Sequence, residues 1–299
     1  MQNDNNCKSE YIIQVEPGHK ERADNWKAAI GLQKVDGLTP SDYLLQTANH
    51  NISGEISLQE AKARIAEYYA QQPEVDKESR IEEADKVSLR IVELLSQDTF
   101  NMSTLGLTFI HKHLFEGIYP FAGKFRDYNI SKKELILGGD SVLYSSFDII
   151  RETLDHDFAK EKEFDYAALG EGAKMNHTAK FISDLWQIHP FGEGNTRTVA
   201  VFAIKYLRKF GYDLTNEEFE KNSVYFRNAL VRANYSNRQV PETREYLYAF
   251  FRNLLFGKNT ILDNQALYIN AEPPATGYER AGVTSGFCYK DRPPAKGRS

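Results

Sequence analysis

The chain has 299 residues, of which 41% are hydrophobic and 26% are charged, a composition typical of a soluble globular protein. Its 37 basic and 42 acidic residues give a net charge of −5, which argues against a nucleic acid or an anionic membrane as a partner, because both favour basic surfaces. The sequence has no run of 18 apolar residues and nothing like a signal peptide, and its two cysteines are Cys7 and Cys288. We therefore expect a cytoplasmic protein without a disulfide framework.

The first hundred residues carry mainly helical signals. Thr-Pro-Ser-Asp at 39–42 predicts the start of a helix over residues 43–49. The pair Ser57 and Glu60 has the spacing of a capping box and predicts a second helix over residues 61–70. From Ser79, apolar residues at spacings of three and four predict a third helix, and residues 104–115 predict a fourth.

Residues 129–144 contain the only convincing strand signal. Two apolar runs flank Gly138-Gly-Asp, which is a natural turn, and together they predict a short β-hairpin. Helical patterns then resume over residues 146–160, 177–188, 196–210, 217–220, 224–233 and 243–256. The Pro- and Gly-rich tail beyond Asn270 is predicted to be disordered. The predicted fold class is therefore all-α with one short β-hairpin.

The chemistry-bearing residues are concentrated in one loop, residues 189–197, which reads His-Pro-Phe-Gly-Glu-Gly-Asn-Thr-Arg. A Gly-rich loop that opens onto a helix presents free N–H groups and the positive end of the helix dipole, which suits a phosphate. Arg197 would add a cation, Glu193 a hard oxygen ligand for Mg²⁺, and His189 a group that takes a proton near neutral pH. The loop is therefore a candidate active site.

Two other interpretations of these residues remain open. An isolated Gly-x-Gly-Asn is more often an ordinary turn, with His189 as the last residue of a helix, but the flanking His-Pro-Phe and Arg favour an active site. His111 and His113 could suggest a metal pair, although residues two apart on a helix point to different faces. Arg126 and Lys132, which flank the predicted hairpin, could reach a phosphate or a target, or could be solvated charges.

The loop resembles the signature of Fic-domain proteins, His-x-Phe-x-(Asp/Glu)-Gly-Asn-Gly-Arg-x-x-Arg. A second block, residues 111–126, resembles the segment that precedes the hairpin in that family, and residues 225–230 fall where Fic domains have a helix on the nucleotide side. The resemblance implies a Fic-like helical bundle with a hairpin flap. We therefore expect an N-terminal helical segment over 1–78 that packs on the core, a Fic-like catalytic domain over 79–258 and a largely disordered extension over 259–299.

The resemblance also implies an activity, the transfer of AMP or another NMP from an NTP to a Tyr, Thr or Ser hydroxyl of a target protein. His189 would be the general base, Glu193 would bind Mg²⁺ or Mn²⁺, and ATP is the first choice of donor. The phosphates would be held by Gly194, Asn195, Thr196 and Arg197, and the nucleoside pocket would be lined by Tyr225 and Asn228, for which core packing is an equal alternative. The target would add a strand to the flap, at Leu135, Ile136, Leu137, Gly138, Leu143 and Tyr144.

Two positions depart from the family signature. Thr196 stands where the signature has its second Gly, and Ala200 stands where it has its last Arg. A Cβ at 196 leaves a phosphate less room near the backbone, although the Thr hydroxyl could cap the helix. The missing cation at 200 removes an expected contact to the γ-phosphate. Two alternative functions follow, a nucleotide-binding regulatory module without transfer and a nucleotide or phosphodiester hydrolase. The oligomeric state stays open.

Overall fold

The computed structural model describes residues 18–71, 80–214 and 216–269. The predicted disorder beyond Asn270 and both cysteines lie outside the described residues. Ten α-helices lie within them: α1 (His19–Gly31), α2 (Asp42–Ser53), α3 (Leu58–Ala70), α4 (Ile81–Leu95), α5 (Thr104–Phe115), α6 (Ile150–Glu163), α7 (Glu171–Ile188), α8 (Asn195–Lys209), α9 (Glu217–Ala233) and α10 (Glu245–Phe256). Short 3₁₀ turns cover Leu32–Asp36, Leu135–Leu137, Phe147–Ile149 and Asn264–Leu267. The all-α class is thus correct for the described part of the chain.

Local capping signals in the sequence correspond to helix starts in the structure. Ser41 caps α2 by accepting a hydrogen bond from the Leu44 N–H at 3.0 Å. Ser57 and Glu60 form the predicted capping box of α3, with Ser57 N–H donating to Glu60 Oε2 at 2.7 Å and Glu60 N–H donating to Ser57 Oγ at 3.1 Å. These side chains satisfy N–H groups that a helix start otherwise leaves without partners.

The predicted β-hairpin is wrong, because no strand occurs in the part of the chain that the structure describes. Glu134 N–H donates to Asp140 C=O at 2.9 Å and Gly139 N–H donates to Glu134 C=O at 3.0 Å, and the first arm ends in the 3₁₀ turn. Ile136 and Leu137 are both buried although they are consecutive. A strand would point them to opposite faces, whereas here the 3₁₀ turn accommodates both side chains in the core. We call residues 128–146 the flap segment.

Helix α8 lies at the centre of the fold, with every residue from Asn195 to Leu207 buried. It packs against α4, α5 and α7, while α1 packs on α4 and α9, and α10 packs on α7 and α9. One hydrophobic core runs from Trp26 through these helices to Leu267. The described residues on both sides of the predicted 78/79 boundary therefore share one core, to which Leu267 also belongs.

Among the residues that the structure describes, no helix has both the length and the apolar character needed to cross a membrane.

Candidate active site

The loop between α7 and α8 is fixed by its own residues. Helix α7 ends at Ile188, and α8 begins at Asn195 after Gly194, whose φ of 77° lies in the left-handed region. The Asn195 side chain accepts a hydrogen bond from Phe191 N–H at 3.0 Å and donates one to Phe191 C=O at 2.8 Å. This side chain therefore closes the loop and is not directed at a phosphate, which differs from the role that the sequence suggested.

His111 of α5 holds the same loop from outside. Its Nδ1 accepts from Gly123 N–H at 2.9 Å, so the ring proton is on Nε2, which donates to Glu193 C=O at 3.0 Å. The ring also stacks on Phe191 at a centroid distance of 3.7 Å. Burial lowers the pKa of His111 to about 4, so the ring is neutral near pH 7. His111 is a structural pin of the loop, a role that the sequence did not reveal.

The first backbone N–H groups of α8 are available to a ligand. Gly194 N–H donates to Glu193 Oε1 at 3.1 Å, whereas the N–H groups of Asn195, Thr196 and Arg197 have no acceptor among the described residues. Together with the helix dipole, free N–H groups at a helix start favour an anion. The predicted anion site thus has donors, supplied by the backbone.

His189 caps the end of α7 in a left-handed conformation, with φ of 50° and ψ of 58°. Its Nδ1 lies 3.3 Å from Trp186 C=O, a long contact that places the proton on Nδ1 and leaves the Nε2 lone pair free. The ring is 8% exposed and lies 4.3 Å from the Tyr144 ring of the flap segment. Burial, and then the positive charges of Lys132, Arg126 and Arg227, lower the pKa of His189 well below its usual value.

Thr196 and Ala200, the two departures from the signature, are both packed inside. The Thr196 hydroxyl accepts a hydrogen bond from the Trp186 indole at 3.0 Å, which ties α7 to α8. It therefore does not cap α8, whose N-cap has no side-chain hydrogen bond. Ala200 is fully buried. A cation at this buried position would be strongly unfavourable without a partner of opposite charge.

Arg197 is directed away from the loop, into a charged cluster between α8, α4 and the N-terminal helices. Its Nη2 donates to Glu83 at 2.8 Å and its Nη1 to Gln33 at 3.1 Å, and its Nε lies 2.7 Å from Asp36 in a charge contact without hydrogen-bond alignment. The guanidinium also lies 4.8 Å over the Phe115 ring and has no exposed surface. We call these five residues the Arg197 cluster.

Burial opposes the charged form of Arg197, but Asp36 and Glu83 outweigh it and raise the pKa of Arg197. Burial likewise opposes the charge of Glu83, and hydrogen bonds from Arg80 together with the charge of Arg197 lower its pKa. The cluster is therefore a stable ion network. The sequence suggested that Arg197 holds a phosphate, whereas in this structure its side chain is engaged by Gln33, Glu83 and Asp36.

Tyr225 and Asn228 belong to α9 and are both buried. Tyr225 is 2% exposed and donates to Tyr246 C=O at 3.3 Å, and the Asn228 amide donates to Asn264 at 3.0 Å. The structure thus realises the core-packing alternative for Tyr225. Asn228 is covered by the segment after α10.

The flap segment presents some of its predicted docking residues and buries the others. Leu143 is 83% exposed and Leu135 is 57% exposed, and Gly138 is exposed with φ of 64°. Ile136, Leu137 and Tyr144 are buried. The Ile136 C=O already accepts a hydrogen bond from Ile269 N–H at 3.0 Å, so this edge of the flap segment has an internal partner.

Glu193 is the residue through which the loop could hold a metal ion. Its carboxylate is partly exposed, and one oxygen accepts only the Gly194 N–H. No group of three His, Cys, Asp or Glu residues with metal-site geometry occurs in residues 18–71, 80–214 and 216–269. Mg²⁺ is commonly bound by one or two carboxylates together with substrate phosphates. The residues present fit that mode and do not form an all-protein metal cage.

A cavity of about 680 Å³ lies at the other end of α8. It is lined by charges of both signs, including Lys20, Asp24, Lys205 and Arg208. Lys205 donates to Leu94 C=O at 2.6 Å. The cavity shares no residue with the 189–197 loop, so it is not the site that the sequence indicated.

The comparisons with known proteins match the region of the chain that contains the 189–197 loop. Residues 102–207 match the sequence model of the Fic/DOC family. The chain carries a Fic/DOC-family domain. A probable protein adenylyltransferase of Sinorhizobium fredii is 29% identical over 126 residues, which are 42% of this chain. The chain spans 61% of the length of that relative.

Two solved Fic domains are also similar to the chain. One is the N-terminal Fic domain of a Bartonella effector protein from Bartonella sp. AR 15-3, with 20% identity, a TM-score of 0.47, and coverage of 60% of this chain and 82% of that chain. The other is the N-terminal Fic domain of Bep8 from Bartonella sp. 1-1C, with 18% identity, a TM-score of 0.45, and coverage of 57% and 81%.

Proposed function

We propose that this chain transfers a nucleoside monophosphate, AMP from ATP as the first choice, to a Tyr, Thr or Ser hydroxyl of a target protein. The observation that carries the proposal is the loop itself, which combines a neutral imidazole with a free Nε2 lone pair and three unpaired N–H groups at a helix start. The Fic/DOC match and the probable protein adenylyltransferase support the same reaction class.

His189 is the general base of the proposed reaction. The target oxygen attacks the α-phosphorus, its proton moves to Nε2, and the bond from the α-phosphorus to the leaving pyrophosphate breaks. A pKa well below the usual value keeps the free ring deprotonated, and a bound phosphate would raise that pKa because it brings negative charge. A positioned base of this kind typically contributes about 10²–10⁴-fold in rate.

The backbone N–H groups of Asn195, Thr196 and Arg197 bind the α-phosphate in the proposal, where they stabilise charge that develops during transfer. Glu193 would hold Mg²⁺ or Mn²⁺, which when bound supplies charge neutralisation to the phosphates. Because Arg197 is committed to its cluster, another cation is needed for the leaving pyrophosphate. We assign that role to Lys132, whose charge acts on His189 and whose ammonium has no ion-pair partner among the described residues.

Target docking in the proposal uses the flap segment. The exposed side chains of Leu135 and Leu143 offer apolar contacts to an extended target segment. Tyr144 packs against the His189 ring and covers it. In the proposal, docking on the flap segment shifts Tyr144 and exposes the base to the target hydroxyl.

The proposal is tested by incubating a lysate with the protein, Mg²⁺ and each of the four NTPs, followed by mass spectrometry of the proteins. His189→Ala should lower labelling by about 10²-fold or more, while the exposed His156→Ala should label as the wild type does. Absence of any labelled protein with all four NTPs, or equal labelling by His189→Ala, would overturn the proposal. Release of free NMP without labelled protein would favour the hydrolase.

A second candidate is a nucleotide-binding regulatory module without transfer. Two observations favour it, the 8% exposure of His189 and the commitment of Arg197 to internal ion pairs. Calorimetry together with the labelling experiment distinguishes the two candidates. A module would bind ATP, give no labelled protein, and respond to a partner in the same way after His189→Ala.

A further inference from the structure

The side chain of Arg126 lies behind the loop and joins two parts of the site. It is 4% exposed, and four of its hydrogen bonds go to backbone carbonyl groups. Nε donates to His189 C=O at 2.8 Å, and Nη2 donates to Ile188 C=O at 3.2 Å. Nη1 donates to Tyr128 C=O at 2.7 Å, and Nη2 also donates to Ser145 C=O.

These four acceptors belong to two groups. Ile188 and His189 are the last residue of α7 and its cap, where a helix leaves carbonyl groups without partners and where the dipole favours a cation. Tyr128 and Ser145 lie at the two ends of the flap segment. A guanidinium has five N–H donors in a fixed plane, so one side chain holds both groups at once. The backbone adds a further link, because Arg126 N–H donates to Pro190 C=O at 2.9 Å.

The backbone of His189 needs such support. A left-handed conformation is unfavourable for a residue with a Cβ, and it persists only where the surroundings enforce it. This conformation also directs Nδ1 to Trp186 C=O and thereby leaves Nε2 as the free nitrogen. The carbonyl that Arg126 Nε binds is that of His189 itself.

We propose that Arg126 is the positioning residue of this site, which fixes the His189 backbone and sets the distance between the base and the flap segment. The inference rests on the proposed function and deepens it. Arg126 does not touch the substrate. It acts through His189 on one side and through the flap ends on the other, so that a target docked on the flap meets Nε2 at a defined place.

Charge and geometry are separable in this role. The positive groups that act on His189 are Lys132 and Arg227 as well as Arg126, and Tyr144 is the titratable group packed on the ring. Arg227 is itself paired with Glu134 at 2.5 Å. Arg126→Lys keeps the charge but cannot reach four carbonyl groups from one point, whereas Arg126→Gln removes the charge as well.

The test measures transfer, nucleotide affinity and the His189 titration by NMR in both variants. Both should lose roughly 10²-fold in kcat, the size of effect that a misplaced catalytic group produces, with unchanged affinity for ATP. The His189 pKa should stay near the wild-type value in Arg126→Lys and rise in Arg126→Gln, because only the second variant loses the cation. The matched control is Arg90→Lys, since Arg90 also donates to a carbonyl group at the end of a helix, that of Leu114 at 2.9 Å.

A kcat of Arg126→Lys within about twofold of Arg90→Lys would overturn the inference, since a lost orientation should cost far more. A failure of both Arg126 variants to fold would also overturn it, because Arg126 would then support the fold as a whole. The His189 titration needs no transfer activity. A wild-type protein that labels no target therefore removes the proposed function, while the NMR comparison still reports whether Arg126 acts on the base.

Discussion

The Arg197 cluster and the flap segment both flank the 189–197 loop, and they differ in how much of their surface is exposed. The cluster has a fully buried cation with two carboxylates, an amide and an aromatic ring around it. The flap segment is anchored by hydrogen bonds from Arg126 and by the ion pair of Glu134 with Arg227, and it carries Leu143 and Leu135 in the solvent. The cluster is closed to solvent, whereas the flap segment combines buried anchors with exposed apolar side chains.

The difference indicates how the site divides its tasks. The loop is held in place by His111, Asn195 and Arg126, so the N–H groups and His189 keep their positions. Within the flap segment, Tyr144 is the residue whose ring lies against His189 and covers it. A preorganised loop next to a flap segment with exposed apolar side chains is an arrangement that suits the proposed transfer and target docking.

The largest expected effect on stability comes from a substitution in the Arg197 cluster. Arg197→Ala removes one partner of a buried ion network and leaves Asp36 without its cation, which should lower the free energy of unfolding by about 3–5 kcal/mol. The matched control is Lys133→Ala, which removes the same charge from an exposed position in the flap segment and should change stability by less than about 0.5 kcal/mol. Urea denaturation measures both. Equal losses of stability in the two variants would contradict the view that the buried ion pairs of Arg197 stabilise the fold.

The next effect is a dependence of stability on pH from the loop pin. The pKa of His111 is about 4 in the fold because the ring is buried, and about 6.5 in the unfolded chain. Between these values the unfolded chain binds more protons than the folded protein does. The stabilisation that comes from the neutral ring is therefore fully present above about pH 6.5 and is lost as the pH falls towards 4. The loss from this group is on the order of 3 kcal/mol, and His189 acts in the same direction.

Denaturation at pH 7, 5.5 and 4.5 measures the slope, and these three values are chosen to span the window of about 6.5 to 4. His111→Gln should flatten the slope, even if the variant is less stable at pH 7. The control is His156→Gln, which changes an exposed histidine. The interpretation of His111 as a neutral pin fails if His111→Gln and the wild type lose the same free energy on acidification.

A smaller effect separates two glycines that both have positive φ. Gly194 has φ of 77° and a Cβ added there would lie 2.4 Å from Phe115, whereas Gly139 has φ of 92° and open space around it. Substitution by Ala costs each about 1 kcal/mol of backbone strain, and overpacking adds roughly 1–3 kcal/mol at Gly194 only. Gly194→Ala should therefore be less stable than Gly139→Ala by about 2 kcal/mol in urea denaturation. A difference near zero would mean that Phe115 yields easily.

The sequence predicted those parts of the fold that are determined locally. The capping box of Ser57 and Glu60 involves residues three apart, and both of its hydrogen bonds are present. Helix α1 gave no clear signal, because it buries polar residues such as Asn25. The partner of Asn25 is Arg208, which donates to it at 2.8 Å from 183 residues along the chain.

Contacts between residues that are distant in sequence also explain which features of the site were not predicted. The motif predicts a loop before a helix, and the structure has one with free N–H groups. The direction of the Arg197 side chain depends on Glu83, 114 residues away, and no pattern in the motif reports it. The strand error has a similar cause. Val142, Leu143 and Tyr144 alternate between buried and exposed as an extended segment does, but the matching arm turns at Leu135–Leu137.

The smallest expected change in stability is in the flap segment, at Leu143. This side chain is 83% exposed in the fold, so Leu143→Ala removes almost no buried surface and should alter stability by less than about 0.5 kcal/mol. If the flap segment binds the target, the loss of an apolar contact there should raise KM by about tenfold, the effect of roughly 1–2 kcal/mol of lost burial, while kcat stays unchanged. The control is Leu105→Ala on α5, which is 70% exposed and outside the flap segment. Steady-state kinetics with a labelled target peptide measure both variants, and an equal KM for the two would place the target elsewhere than on this flap.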